Sequence, residues 1–132
     1  MAAEACFQLA DQRERGLSRA LRVGPTAVAG SDQLLEEADE LLEKTGMTLE
    51  DIDMVVPHQA NLRINETFRD RLKLPKEKIY NNIQEYGNTT SATIPIALDE
   101  VVEKGILKSG DIVMFIGLGA GLTWGGVIYR LP

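Results

Sequence analysis

Hydrophobic and polar positions along residues 31–132 predict helices that alternate with short buried strands. The clearest helix follows Ser31, which we expect to be its N-cap, and ends near Gly46, which we expect in the left-handed conformation. Two further helices are predicted, from about Ala60 to Lys73 and from about Ser91 to Lys104. The helix after Ser31 carries one apolar stripe. The helix from about Ala60 is expected to bury Leu62, Phe68 and Leu72.

Apolar runs between these helices predict the strands of one sheet. The predicted strands are 54–57, 79–82, 112–116 and 124–130. Helices and strands that alternate in this way imply a largely parallel sheet with right-handed crossovers. Too few residues separate the last two strands for a crossover, so we expect them to pair antiparallel. The sequence therefore predicts an α/β fold with a mixed, mostly parallel sheet and an antiparallel last strand.

The helix predicted at 91–104 is apolar around much of its circumference. No charged residue occurs from Gly87 to Leu98. A helix that is apolar on several faces is buried on several faces. One sheet can cover only one of them, so we expect another domain or subunit to cover the outer side.

Composition narrows the class of protein. The 132 residues are 44% hydrophobic and 26% charged, and the net charge of −6 argues against nucleic acid as the main partner. The single cysteine fits a reducing compartment, no apolar run is long enough to span a bilayer, and the N-terminus does not resemble a signal peptide. We predict a cytoplasmic protein. Residues 1–30 form a poorly readable, partly helical segment, and residues 31–132 form the domain.

Basic residues are concentrated in one segment of this acidic chain. The cluster comprises Arg63, Arg69, Arg71, Lys73, Lys76 and Lys78. It is either a solvated helix face with local ion pairs, or a docking surface for an acidic partner or a phosphate-bearing ligand. The residues alone leave both interpretations open.

His58 is the first candidate for chemistry. It is the only histidine, and it directly follows the predicted strand 54–57. In open α/β sheets the carboxyl ends of strands are where ligands bind. Near neutral pH an imidazole can exchange a proton or donate a hydrogen bond. A structural histidine in a turn is the alternative, and a metal site is not expected because other ligands are missing nearby.

Two loops extend this candidate site. Asn88 lies in a turn that leads into a helix, where it is either an ordinary turn residue or an amide donor to a developing oxyanion. The glycine-rich segment 117–121 does not form a dinucleotide fingerprint, because Leu122 stands where the third glycine is required and a strand follows. That segment is either a tight turn or a place where the backbone closely approaches a substrate.

Three motifs in this order resemble a known family. PHQANLRI at 57–64, YGNTTSATIP at 86–95 and GAGLTWG at 119–125 are similar to the C-terminal half of 3-oxoacyl-[acyl-carrier-protein] synthase III. The resemblance runs from about Ser31 to the end of the chain. It implies the C-terminal half of a thiolase-like fold with helices on both faces of the sheet. It also implies fatty acid biosynthesis, a homo-oligomer, and substrates that are acyl-CoA and malonyl-carrier protein, with no metal and no separate cofactor.

The resemblance also implies residue roles. His58 and Asn88 would be the catalytic pair that hydrogen-bonds the malonyl thioester oxygen as carbon dioxide leaves. Asn61 would contact the pantetheine arm of the substrate, and Arg63 would dock the acyl carrier protein. The backbone amide of Ala120 would help to hold the acyl thioester oxygen.

One catalytic element of the family has no counterpart in this sequence. The family's nucleophile motif, Ala-Cys-Ser/Ala-Gly, is absent, and the surroundings of Cys6 do not reproduce it. We therefore expect condensation to need an N-terminal half or a partner subunit, and whether this chain alone is an enzyme stays open. The alternatives are a non-catalytic module for carrier-protein binding or dimerisation, and a structural remnant that self-associates.

Overall fold

The computed structural model describes residues 26–121 and 123–132. Cys6 and most of the segment 1–30 lie outside the described residues. The helices are α1 (Thr26–Thr45), α2 (Leu62–Leu72), α3 (Ile83–Tyr86) and α4 (Thr93–Glu103). The strands are β1 (Met54–Pro57), β2 (Ile112–Gly119) and β3 (Thr123–Arg130). Single 3₁₀ turns occur at Leu49–Asp51, Lys76–Lys78 and Thr90–Ala92.

The described strands form one mixed sheet in the order β1-β2-β3. β1 pairs parallel with β2, from Met54 opposite Val113 to Pro57 opposite Ile116. β3 pairs antiparallel with β2 along its whole length, as the short connection predicted. The strand expected at 79–82 is reduced to one parallel bridge between Val55 and Ile79. A 3₁₀ turn ends at Lys78 and α3 begins at Ile83, so little extended chain remains to pair.

Helices pack on both faces of the sheet, as expected. Successive residues of a strand point to opposite faces. Val55, Met114 and Ile116 therefore join one buried cluster with residues of α1 and α2. Val56, Val113 and Phe115 join the opposite cluster with residues of α4. The carboxyl end of β1 lies between these two helical layers.

Helix α1 begins at Thr26 and not after Ser31, so the expected N-cap is wrong. Ser31 lies inside the helix and is fully buried. The neighbouring Gly30 allows close packing there, because a Cβ at that position would lie 3.0 Å from a methyl group of Leu118. In the predicted apolar stripe, Leu34, Ala38 and Leu41 are buried, and Leu35 and Leu42 are partly buried. Gly46 is left-handed with φ of +67°, as expected.

Helix α2 is capped at both ends. The Asn61 side chain accepts the N–H of Arg63 at the start, and Lys73 is left-handed at the end. Phe68 is buried as predicted, whereas Leu62 is 37% exposed. Ile64 in its first turn and Leu72 at its end are partly buried and also pack against the core, so the helix is held along its length.

Helix α4 buries one face and leaves part of the other uncovered. Ala97 and Val101 are fully buried, whereas Val102 is 41% exposed. The described residues thus cover only one side of this apolar helix, and its covering by another domain or subunit stays a prediction. No helix within 26–121 and 123–132 has both the length and the apolar character needed to cross a membrane.

Candidate active site

The fold places His58 at the carboxyl end of β1. Its backbone N–H donates to the carbonyl of Ile116 at 2.8 Å, which continues the parallel ladder by one residue. Gly117 follows on the neighbouring strand, and a Cβ added to it would lie 3.9 Å from the Cβ of His58. The glycine-rich segment therefore begins beside the histidine, which the sequence alone did not show.

The imidazole of His58 is half-buried and has one bonded partner among the described side chains. Its Nδ1 lies 2.5 Å from Oγ1 of Thr93, the first residue of α4. Burial lowers the pKa of His58 below its ordinary value. The ring is therefore neutral at neutral pH, so it can present one N–H without carrying a full charge.

Gln59 holds the turn that carries His58. Its Nε2 donates to the carbonyls of Pro57 at 2.7 Å and Tyr80 at 3.2 Å. Its Oε1 accepts the backbone N–H of Asn82 at 3.1 Å. Because Gln59 is 1% exposed, water cannot replace these bonds. Sequence reasoning missed this role, since glutamine in a polar turn is usually exposed.

Asn88 lies in the exposed loop after α3. Its Oδ1 accepts the backbone N–H of Thr90 at 2.9 Å. An amide whose oxygen is engaged in this way directs its NH₂ group elsewhere. Within the described part of the chain, that NH₂ group has no protein acceptor, so it is available as a donor.

One short turn connects these two candidate side chains. Thr90 binds Asn88 through its N–H, and its carbonyl accepts the backbone N–H of Thr93, which in turn contacts His58. Thr90 has φ of +57°, a conformation that costs energy for a β-branched residue. The turn is thus held in a strained geometry at the point where it meets both side chains.

Ala120 lies at the tip of the β2–β3 hairpin. It is exposed, and its carbonyl accepts the hydroxyl of Thr123 at 3.3 Å. Gly121 follows with φ of +79°, which only glycine adopts readily. Ala120 and Gly121 are therefore turn residues, and a role for the Ala120 amide stays a prediction.

Asn61 and Arg63 lie at the start of α2, next to His58 in the sequence. Asn61 uses its Oδ1 to cap the helix, at 3.0 Å from the N–H of Arg63. The Arg63 guanidinium is exposed and has no protein partner among the described residues. Both residues are exposed, and they follow His58 by three and five positions in the sequence.

The basic cluster divides into bonded and unbonded members. Arg69 pairs with Asp70, Arg71 pairs with Asp32, and Lys78 donates to two backbone carbonyls. Within 26–121 and 123–132, the other three side chains have no such partner, and they are Arg63, Lys73 and Lys76. The cluster is therefore partly a structural face and partly a set of cations open to a ligand.

The described residues contain no group of three or more histidine, cysteine and acidic side chains placed to hold a metal ion. The polar groups around His58 are instead hydroxyl, amide and backbone groups. This set is suited to donating hydrogen bonds to a developing negative charge.

Comparison with known proteins identifies one family for this chain. The family described as 3-Oxoacyl-[acyl-carrier-protein (ACP)] synthase III C terminal matches residues 42–131. A beta-ketoacyl-[acyl-carrier-protein] synthase III of Microcystis aeruginosa is 52% identical over 104 residues, which are 79% of this chain and 30% of that protein. Its counterpart in Caldanaerobacter subterraneus is 53% identical over 91 residues, 69% of this chain and 28% of that protein.

The solved structures agree with the sequence comparison. The crystal structure of the synthase III of Thermus thermophilus has a TM-score of 0.78 and 42% identity, covering 80% of this chain and 33% of that one. The expected thiolase-like fold is thereby confirmed. The chain spans about a third of the length of the relatives that it matches.

Proposed function

Because the chain belongs to the 3-oxoacyl-[acyl-carrier-protein] synthase III family, we propose that it acts in decarboxylating condensation for fatty acid biosynthesis. In this proposal acyl-CoA supplies the primer and malonyl-carrier protein supplies two carbons. His58 and Asn88 hydrogen-bond the malonyl thioester oxygen while carbon dioxide leaves. The coenzyme A thioester is a substrate, and no metal is needed for this step.

The chemistry explains why two neutral donors suit the step. When the bond to the malonyl carboxylate breaks, its electron pair forms an enolate, and negative charge develops on the thioester oxygen. Donors that are already oriented stabilise this charge more than they stabilise the substrate. The lowered pKa of His58 keeps its imidazole neutral. The hydrogen bond from its N–H to the thioester oxygen therefore strengthens as negative charge develops there.

The observation that carries the proposal is the turn from Thr90 to Thr93. It hydrogen-bonds both Asn88 and His58, although these residues are far apart in the sequence. Such preorganisation supports a shared task for the two side chains.

The cysteine that takes the acyl group from acyl-CoA is not one of the site residues named above. We propose that it comes from polypeptide outside these 132 residues or from a second subunit. The enolate carbon would then attack the acyl thioester on that cysteine, and the thiolate would leave. The Ala120 amide would hold the acyl oxygen, and Asn61 would contact the pantetheine arm.

A second function is favoured by the unbonded cations of the basic cluster. Arg63 is exposed, five positions after His58 in the sequence, and its guanidinium has no partner in the described chain. An acidic acyl carrier protein would bind such a surface through complementary charge. Carrier docking through Arg63 would serve the condensing enzyme, and it would be the whole function of a non-catalytic module.

A chimeric enzyme tests the main proposal. Residues 26–132, which include the whole of α1, would replace the equivalent part of the Aquifex aeolicus synthase III, to which this chain is similar in structure, with a TM-score of 0.74. We expect condensation by the chimera, and a loss of about 10²-fold to 10³-fold in kcat for His58→Ala or Asn88→Ala. Thr45→Ala, at the end of α1, is the control. Unchanged kcat in both site variants would refute the proposal.

A further inference from the structure

The hydroxyl of Thr93 has two acceptors within reach and only one proton. Its Oγ1 lies 2.5 Å from Nδ1 of His58 and 3.0 Å from the carbonyl oxygen of Thr90. A hydroxyl can donate to only one of these groups at a time. The choice determines which nitrogen of His58 carries the hydrogen.

The surrounding hydrogen bonds favour the histidine as acceptor. The Thr90 carbonyl already accepts the backbone N–H of Thr93, so it does not depend on the hydroxyl. Nδ1 of His58 has no other protein partner among the described residues. Thr93 is 2% exposed, so water cannot easily take its place. The hydroxyl of Thr93 is therefore expected to donate its proton to Nδ1 of His58, which is the shorter of the two contacts.

We propose that Thr93 is a positioning residue that donates to Nδ1 and holds His58 in the tautomer with hydrogen on Nε2. The group that hydrogen-bonds one ring nitrogen of a histidine commonly selects which nitrogen carries the hydrogen. The opposite tautomer would place a lone pair on Nε2, and a developing oxyanion would be repelled by it.

The consequence for catalysis rests on the proposed function. In that reaction Nε2–H of His58 faces the thioester oxygen, and Thr93 ensures that a hydrogen is present there. The same turn directs the NH₂ group of Asn88, because Thr90 engages its oxygen. One turn would thus orient both donors before any substrate binds.

Nitrogen NMR of the full chain tests the tautomer directly. His58 is the only histidine, so its two ring nitrogens can be assigned without ambiguity. Spectra are recorded above the ordinary histidine pKa of about 6.5. We expect an unprotonated Nδ1 and a protonated Nε2 in the wild type and in Thr93→Ser.

The variant without the hydroxyl shows whether Thr93 is the cause. In Thr93→Val we expect the tautomer ratio to move toward Nδ1–H by about threefold to tenfold, as for the loss of one hydrogen bond. Thr45→Val is the control, since Thr45 donates only to carbonyls of α1, and it should match the wild type. A wild type with hydrogen on Nδ1, or an unchanged ratio in Thr93→Val, would overturn the proposal.

The test does not depend on the valine variant alone. Thr93→Ala replaces Thr93→Val if the valine variant does not fold. The wild-type spectrum by itself can refute the proposal that His58 carries its hydrogen on Nε2. The measurement uses no substrate. An inactive chimera with the expected tautomer would therefore refute the proposed function alone, and an active chimera with the opposite tautomer would refute the role of Thr93.

Discussion

Gln59 accepts the backbone N–H of Asn82 at 3.1 Å and thereby ties the turn after β1 to the segment that enters α3. The two residues are 23 positions apart in the sequence. Through this contact and its bonds to Pro57 and Tyr80, Gln59 fixes the two chain segments that carry His58 and Asn88. The candidate site therefore depends on the buried side-chain amide of Gln59, which has no role in the proposed reaction.

Replacing Gln59 by glutamate should destabilise the protein. The change removes both donated hydrogen bonds and places a carboxyl group against two carbonyls in a buried site. We expect the free energy of unfolding to fall by about 2–4 kcal/mol in urea titrations. Gln84→Glu is the matched control, because Gln84 is exposed, and its effect should stay within about 0.5 kcal/mol. Equal effects in the two variants would contradict this role.

Two neighbouring glycines of β3 should respond differently to replacement by alanine. At Gly126 a Cβ would lie 2.7 Å from Leu41 Cδ1 and 2.8 Å from the carbonyl oxygen of Phe115, so the backbone of β2 and the Leu41 side chain would have to shift. We expect Gly126→Ala to lower the free energy of unfolding by about 1–3 kcal/mol.

Gly125 is the control for this prediction. A Cβ there would meet no atom within 4 Å, and its φ is not positive. Gly125→Ala should be neutral, or stabilising by about 0.4–1 kcal/mol because it restricts the unfolded chain. Thermal and urea unfolding of both variants would show whether the close packing of α1 on β3 is as described.

The protonation of His58 should follow its burial. Since burial lowers its pKa in the folded state, an NMR titration of this single histidine should have a midpoint below about 6.5. As the pH falls through about 6.5, the unfolded chain gains a proton before the folded chain does, so stability falls. Below the folded pKa both states are protonated, and this loss is complete.

The contribution of His58 can be separated from that of other groups. Glu37 also titrates abnormally, because burial raises the pKa of its carboxyl group. Urea unfolding of the wild type and His58→Asn at several pH values isolates the histidine, since Glu37 is common to both. A histidine midpoint at or above the ordinary value, or an identical pH dependence of the two proteins, would contradict the prediction.

Reversing the charge of Arg63 should weaken carrier-protein binding. We expect Arg63→Glu to raise the Kd for an acyl carrier protein roughly tenfold at low salt, because one attraction becomes a repulsion. The difference between the two proteins should shrink as salt is added. Lys108→Glu, outside the basic cluster, makes the same change in net charge. Isothermal titration would contradict docking at Arg63 if both variants bound equally.

Local patterns in the sequence predicted the elements and part of the site. Helical spacing predicted α1 and α2, and apolar runs predicted β1 and β2, because these signals depend on neighbours in the chain. The short connection predicted the antiparallel last pair. The family motifs, each of which is contiguous in sequence, selected His58 and Asn88, and the roles of these two residues stay predictions.

Other expectations failed because distant parts of the chain decided them. Ser31 did not cap α1, since Gly30 allows the helix to continue against Leu118. The strand at 79–82 kept one bridge, because turns on both sides of it leave little extended chain. Leu62 is 37% exposed and not buried as expected.

The sequence by itself determined the three long helices, the strands β1, β2 and β3, the antiparallel end of the sheet and the identity of the family. Tertiary structure alone brought Thr93 to His58 across 35 positions and buried Gln59 between two loops. The physical reason is that periodicity and turn preferences are local. Hydrogen bonds between separate loops exist only after two helical layers have packed on a common sheet.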